Sequence, residues 1–234
     1  MGIQRLQLQG GGIGLSYTPF EGKDSCSLIK NYNDYEGKPA IDLLEKIKCE
    51  DSIQRSMAVA LINALNYNDA ILLPEDKSNV MFERFGIGEG TRVAMVGYFS
   101  PLMKIFTKRK AILEIIDFSR GIGQKEVFFE RLREWADVLI MTSTTILNNT
   151  TEEILINVGK DVKTVMLGPS TPMVGEAFEG LRVHLLAGMV PLEKDEALKA
   201  IRHGTGTPII QKFCKKVYLD LPTVICPASS NNVC

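Results

Sequence analysis

Two stretches of the sequence carry residue types that could do chemistry. The first, residues 137–150, reads DVLIMTSTTILNNT. Val138, Leu139, Ile140 and Met141 make an apolar run too short for a helix, the pattern of a strand buried on both faces of a parallel sheet. Thr142, Ser143, Thr144, Thr145, Asn148, Asn149, Thr150 and Thr151 then offer hydroxyls and amides. Open α/β sheets bind ligands at the carboxyl ends of such strands. The same residues also suit an ordinary strand-to-helix turn, with Thr and Asn as caps and Glu152 and Glu153 complementing the helix dipole. The second stretch is Glu114 within the apolar run ILEII. A charge in a buried strand costs several kcal/mol unless it is paired or protonated. Glu114 therefore faces a polar cleft, pairs with a base such as Arg120, or lies on a partly exposed strand. In a cleft it would be a candidate acid, base or metal ligand.

Other loops share this character. Gly97-Tyr98-Phe99-Ser100-Pro101 follows an apolar run but lacks the second and third glycines of G-x-G-x-x-G, which disfavours ordinary dinucleotide binding. Asp117 lies 20 residues after Gly97, where an acid could meet a ribose or simply be solvated. Gly168-Pro169-Ser170-Thr171-Pro172 and Gly204-Thr205-Gly206-Thr207-Pro208 add hydroxyls and main-chain amides, which can hold carboxylates or phosphates. No G-x-S-x-G, Ser-His-Asp order or Walker A sequence is present. The five cysteines form no C-x-x-C pair, and His184 and His203 share no metal-ligand spacing.

These loops need a scaffold. From Thr91 onward strand, loop and helix alternate. Strands are expected over 92–97, 112–117, 137–141, 163–167 and 183–187, with Gly188 as a sharp turn after the last. The clearest helices are 127–136 and 193–203. This rhythm predicts a parallel sheet with helices on both faces and right-handed crossovers. The first 88 residues differ. Ile3-Leu6-Leu8 and Ile13-Leu15-Tyr17 suggest a hairpin around Gly10-Gly11-Gly12, although glycines there could equally admit another backbone or a ligand. Pro39 suits the first residue of a helix to about Ile47. Asp51 or Ser52 suits the cap of a second helix to about Leu65. Ile53, Met57, Ala60, Leu61, Ala64 and Leu65 would form its apolar face. Asn63 flanks that face, where it could reach a cleft or bond to nearby backbone. Residues 66–91 read as a connector, with Met81 to Phe85 as a helical turn.

The chain has 234 residues, 45% apolar and 24% charged, with net charge −1. That balance gives no general attraction to nucleic acid or an anionic membrane. No apolar run approaches the roughly 18 residues that span a bilayer, and the N-terminus shows no export signal. A cytoplasmic protein is expected.

Taken together, the motifs resemble one family. They are RSMAVALINA at 55–64, VGYFSP at 96–101, the polar run 142–150, Gly168-Pro169-Ser170 and Gly204-Thr205-Gly206-Thr207. They fall in order across roughly residues 3–215 and are similar to the heavy-metal chelatase family, formerly a domain of unknown function. The resemblance implies an α/β fold: a Rossmann-like parallel sheet (89–222) joined to a smaller α+β, enolase-N-terminal-like domain (1–88). The tail, 223–234, does not fit the family and is expected to be disordered. The resemblance also implies an interdomain cleft as the site. Its positions carry over to Asn63, Gly97, Glu114, Asn148, Thr150, Gly168, Ser170 and Gly206, with Phe99 and Thr144 in the same motifs. The expected ligand is a small polar molecule, either a heavy or transition metal ion or its chelate. Glu114 would supply a hard oxygen, and a homodimer is a further expectation. The alternative expectation is an enzyme or sensor for a nucleotide-like or S-adenosylmethionine-like molecule.

Overall fold

The computed structural model describes residues 2–7, 12–18 and 33–222. Leu8, Gly10, Gly11 and the tail 223–234 lie outside the described residues. Strands β1 (Gly2–Gln7) and β2 (Ile13–Thr18) pair antiparallel, as the hairpin reading expects. Three helices follow: α1 (Ala40–Leu44), α2 (Ser52–Leu65) and α3 (Tyr67–Ala70). Asp51 caps α2 by accepting hydrogen bonds from Ile53 N and Gln54 N. A Cβ on Gly14 would lie 2.0 Å from Ala60 O. So only glycine lets β2 lie this close to the α2 backbone, and the approaching backbone belongs to the protein itself.

The remaining elements are α4 (Met81–Arg84), β3 (Arg92–Val96), α5 (Ser100–Arg109), β4 (Ile112–Ile116) and α6 (Lys125–Glu134). Then come β5 (Val138–Thr142), α7 (Thr144–Leu147), α8 (Thr151–Ile156) and β6 (Lys163–Leu167). The last described elements are β7 (Leu185–Pro191), α9 (Lys194–Arg202), α10 (Thr207–Ile210) and β8 (Cys214–Asp220). The six-stranded sheet has the order β4-β3-β5-β6-β7-β8. Its first five strands are parallel and β8 is antiparallel to β7. This is a Rossmann-like α/β sheet with one antiparallel edge.

Alternate residues along the buried strands face opposite layers. Val93, Met95, Val138 and Ile140 pack with Phe82 and Phe106, from α4 and α5. Ala94, Leu139 and Met141 pack with Phe128 and Leu132 of α6 on the other face. Ile13, Tyr67 and Ala70 belong to that second cluster too. The N-terminal unit therefore shares its apolar core with the sheet.

Two expectations are corrected. Gly188 is not a turn: it lies inside β7, which runs on to Pro191 beside β8. A Cβ there would come within 2.8 Å of Met173 Sδ, so its role is to admit that side chain. The apolar face of α2 is also rotated from the expected one. Leu65 is exposed, whereas Arg55 and Ser56 are buried. Docking against β2 and α7 outweighs the hydropathy of single residues there.

Candidate functional site

The strand order reverses at β3. The chain moves outward to β4 and then crosses back to β5. A crevice outside the carboxyl ends of the two strands flanking such a reversal is the standard ligand position in open α/β sheets. In this sheet that position falls between Gly97-Tyr98-Phe99 after β3 and Thr142-Ser143-Thr144 after β5. Gly97 has φ +88°, and a Cβ there would lie 3.0 Å from Thr142 Cγ2. The two loops therefore touch across the reversal point. Phe99 is half-buried against the α5 side of the core.

The polar run after β5 folds mostly onto itself. Thr142 Oγ1 and Thr144 Oγ1 are 3.0 Å apart. Thr145 Oγ1 donates to Thr142 O, and Thr151 Oγ1 to Thr145 Oγ1. Thr150 Oγ1 donates to Asn148 Oδ1 at 2.7 Å. Asn149 adopts φ +59°, the left-handed turn that separates α7 from α8. Asn148 is exposed beyond α7, and Thr150 stands just before α8. Ser143 Oγ, in contrast, is fully buried and has no hydrogen-bond partner among the described residues. Gly168, at φ +145°, stands beside it; a Cβ there would lie 2.5 Å from Ser143 Oγ.

One acid in this region, Asp117, is committed. Asp117 Oδ2 accepts from Tyr98 N at 2.9 Å, and Ser119 Oγ donates to Asp117 Oδ1. Arg120 pairs with the same carboxylate at 3.4 Å, and its guanidinium stacks over the Tyr98 ring. The carboxylate thus occupies the loop amide that an anionic ligand would otherwise meet. Glu114 is half-buried on the sheet's edge strand, opposite Ala94, set back two residues from the end of β4. Its strand is partly exposed, and Arg120 pairs with Asp117 instead. Among the described residues no group of three or more His, Cys, Asp and Glu is arranged to hold a metal ion.

The N-terminal unit sits over the ends of β5, β6 and β7. Ser170 is fully buried, and its Oγ accepts from Tyr17 N at 2.7 Å. Ser16 Oγ lies 3.4 Å away, and Ser56 Oγ donates to Tyr17 O at 2.5 Å. These three buried serines tie β2, α2 and the loop after β6 together. Asn63 Nδ2 donates to Leu15 O at 2.8 Å, and Asn66 Nδ2 to Met173 O at 2.6 Å. Both asparagines, with Gly14, Met173 and Pro191, line a small cavity of about 10 Å³, roughly room for one water. Asn63 thus bonds to backbone and also faces a cavity. Gly206 precedes α10, whose Ile210 packs with Leu15 and Ala200, away from the strand reversal.

Arg55 escaped the sequence reading as a site residue. It is only 8% exposed. Its Nε donates to Leu147 O at 2.6 Å and its Nη1 to Cys49 O. The available signal was a charge one helical turn before Val59 in an otherwise apolar stretch.

Sequence comparison gives the class. A family model described as "Putative heavy-metal chelation", DUF364, matches residues 80–220. A second with the same description, DUF4213, matches residues 5–66. The chain belongs to this DUF364 family. It is similar to an uncharacterized protein of Methanocaldococcus jannaschii, 22% identical over 179 residues, which are 73% of this chain and 68% of the relative. Two crystal structures of DUF364 proteins of unknown function share the fold. One, from Pyrococcus horikoshii, is 20% identical with a TM-score of 0.74, over 93% of this chain and 87% of that one. The other, from Desulfitobacterium hafniense, is 19% identical with a TM-score of 0.73, over 94% and 87%. Among the described residues no helix is long and apolar enough to cross a membrane.

Proposed function

We propose that this protein binds a small polar ligand, a metal chelate, at the carboxyl ends of β3 and β5, beneath the N-terminal unit. The observation that carries this reading is the strand-order reversal with Gly97 and Thr142 in contact across it. Gly97 leaves the loop main chain uncovered, and Thr142, Thr144 and Asn148 offer neutral donors and acceptors. Such groups recognise a chelator rather than a bare ion. The described side chains offer no ligand set for a naked metal, so the metal would arrive already coordinated, as cargo. Oxygen-rich chelators suit hard ions such as ferric iron better than soft ones. Glu114, set back along β4 beside β3, is a hard-oxygen donor that would act from the flank. The family description supports the metal connection.

The test begins with native mass spectrometry of protein isolated without added chelators. Titration with ferric citrate follows, on wild type and on the Thr142→Val, Thr144→Val double variant, which keeps shape and removes both hydroxyls. Binding by wild type that weakens at least about tenfold in the variant supports the reading, since ~1.4 kcal/mol is tenfold. Equal binding by both proteins overturns it.

A further inference from the structure

We infer that Arg55 is an anion-recognition residue, so that the ligand of the interdomain cleft carries a carboxylate or phosphate group. Arg55 is a charge without a counter-charge among the described residues. A buried guanidinium is costly unless it is paired as well as hydrogen-bonded. Arg55 is over nine-tenths buried, yet among the described residues no carboxylate lies within ion-pair distance of it. Asp51, one turn earlier on the same helix, directs its carboxylate to the Ile53 and Gln54 amides instead. The two acceptors Arg55 does have are the neutral carbonyls of Cys49 and Leu147. Guanidinium carries five N–H donors in a fixed fork, and Nη2 makes no hydrogen bond to any described residue.

The bond to Leu147 places Arg55 beside the proposed site. The Leu147 carbonyl closes α7, which begins at Thr144, one helical turn away. Arg55 therefore reaches from α2 across the domain junction to the loop that borders the strand reversal. Ser56, its neighbour, belongs to the serine cluster with Ser16 and Ser170. A pair of adjacent oxyanion oxygens is what a guanidinium fork matches, and an Arg held by carbonyls on two sides keeps its remaining edge oriented. Carboxylates of a chelator and a phosphate share this chemistry. The inference rests on the proposed ligand site and adds the charge of the ligand.

The experiment compares wild type, R55Q, R55K and the Thr142→Val, Thr144→Val double variant. Each is titrated with citrate, inorganic phosphate and ferric citrate, with thermal shift and calorimetry as readouts. In wild type, citrate or phosphate should raise Tm. In R55Q that shift should vanish and affinity should fall at least about tenfold. R55K, which keeps the charge without the fork, should fold and bind more weakly than wild type. Citrate and phosphate curves separate the two sources of the oxyanion. No response of wild type to any of the three anions would overturn the inference. So would an unchanged response in R55Q, or loss of folding in both Arg55 variants, which would make Arg55 a structural clamp. If ferric citrate binding depends on the two threonines but not on Arg55, the ligand site stands and this inference falls. If citrate or phosphate binding depends on Arg55 while ferric citrate does not bind, the inference stands and the chelate reading falls.

Discussion

The carboxylate of Asp117 accepts a hydrogen bond from Tyr98 N at 2.9 Å, fastening the end of β4 to the loop after β3. The acid stands where a ribose-binding acid would stand in a dinucleotide fold. Here it turns inward to the loop and to Arg120. The nucleotide alternative is weakened by that bond, because the acid and the amide satisfy each other.

Asp117→Ala should therefore act on stability. It removes a charge-assisted bond and leaves a partly buried amide without an acceptor, a loss of about 1.5–3 kcal/mol. Asp117→Asn keeps an acceptor oxygen and should lose less. Urea denaturation of the two variants checks the order. Equal losses would show that the carboxylate's charge, rather than the bond to Tyr98, does the bracing.

Gly14→Ala should disrupt the N-terminal unit. The added methyl would meet Ala60 O at 2.0 Å and Ala64 N at 2.4 Å, both backbone atoms of α2 that no rotamer change can move. Overpacking typically costs about 1–3 kcal/mol, and a main-chain clash belongs at the upper end. Hydrogen exchange should show faster exchange in α2 than in β5. Uniform exchange rates would mean that the two units unfold together.

Stability should fall in two separate acid windows. Burial, with Lys163 nearby, holds His184 below its ordinary value of 6.5, and its Nδ1 accepts from Thr164 N. The unfolded chain therefore gains this proton first. The contribution of His184 is complete above 6.5 and is lost as pH falls from there through the lower folded value. The bonds from Arg92 hold Asp137 below its ordinary value of 3.8. Its contribution is complete above 3.8 and is lost only below that. His184→Asn, which keeps an acceptor but does not titrate, should flatten Tm below 6.5 and leave the lower window intact. An unchanged profile between pH 7 and 5 would reject the assignment to His184.

The parallel sheet was legible because its strands are buried on both faces. Runs such as Val138 to Met141 read the same in any surroundings, and the βα rhythm follows from the crossovers. β8 was not legible, since Lys215 and Lys216 break its pattern. Its pairing uses the edge of β7 opposite β6, which is a tertiary fact. Thr142 and Gly97 were legible as strand-end residues, and their contact follows from the strand order. The burial of Arg55, Ser56 and Ser170 was not legible. Polar types ordinarily read as surface, and only the docking of α2 on β2 and α7 encloses them.

Ser170 should reveal how the two units are joined. Its buried hydroxyl accepts from the part-buried Tyr17 amide, so Ser170→Ala removes that acceptor and should cost about 1–3 kcal/mol. Ser56→Ala removes the donor to Tyr17 O on the other side of the same residue. Both changes loosen β2 from its neighbours, so their effects should not add. Once one anchor is gone, Tyr17 can shift and recover part of the second loss, giving a coupling energy of about 0.5 kcal/mol or more. A double-mutant cycle by urea denaturation measures it. Strict additivity would mean that Tyr17 is held rigidly by other contacts, and the serine cluster would then be two independent anchors rather than one joint.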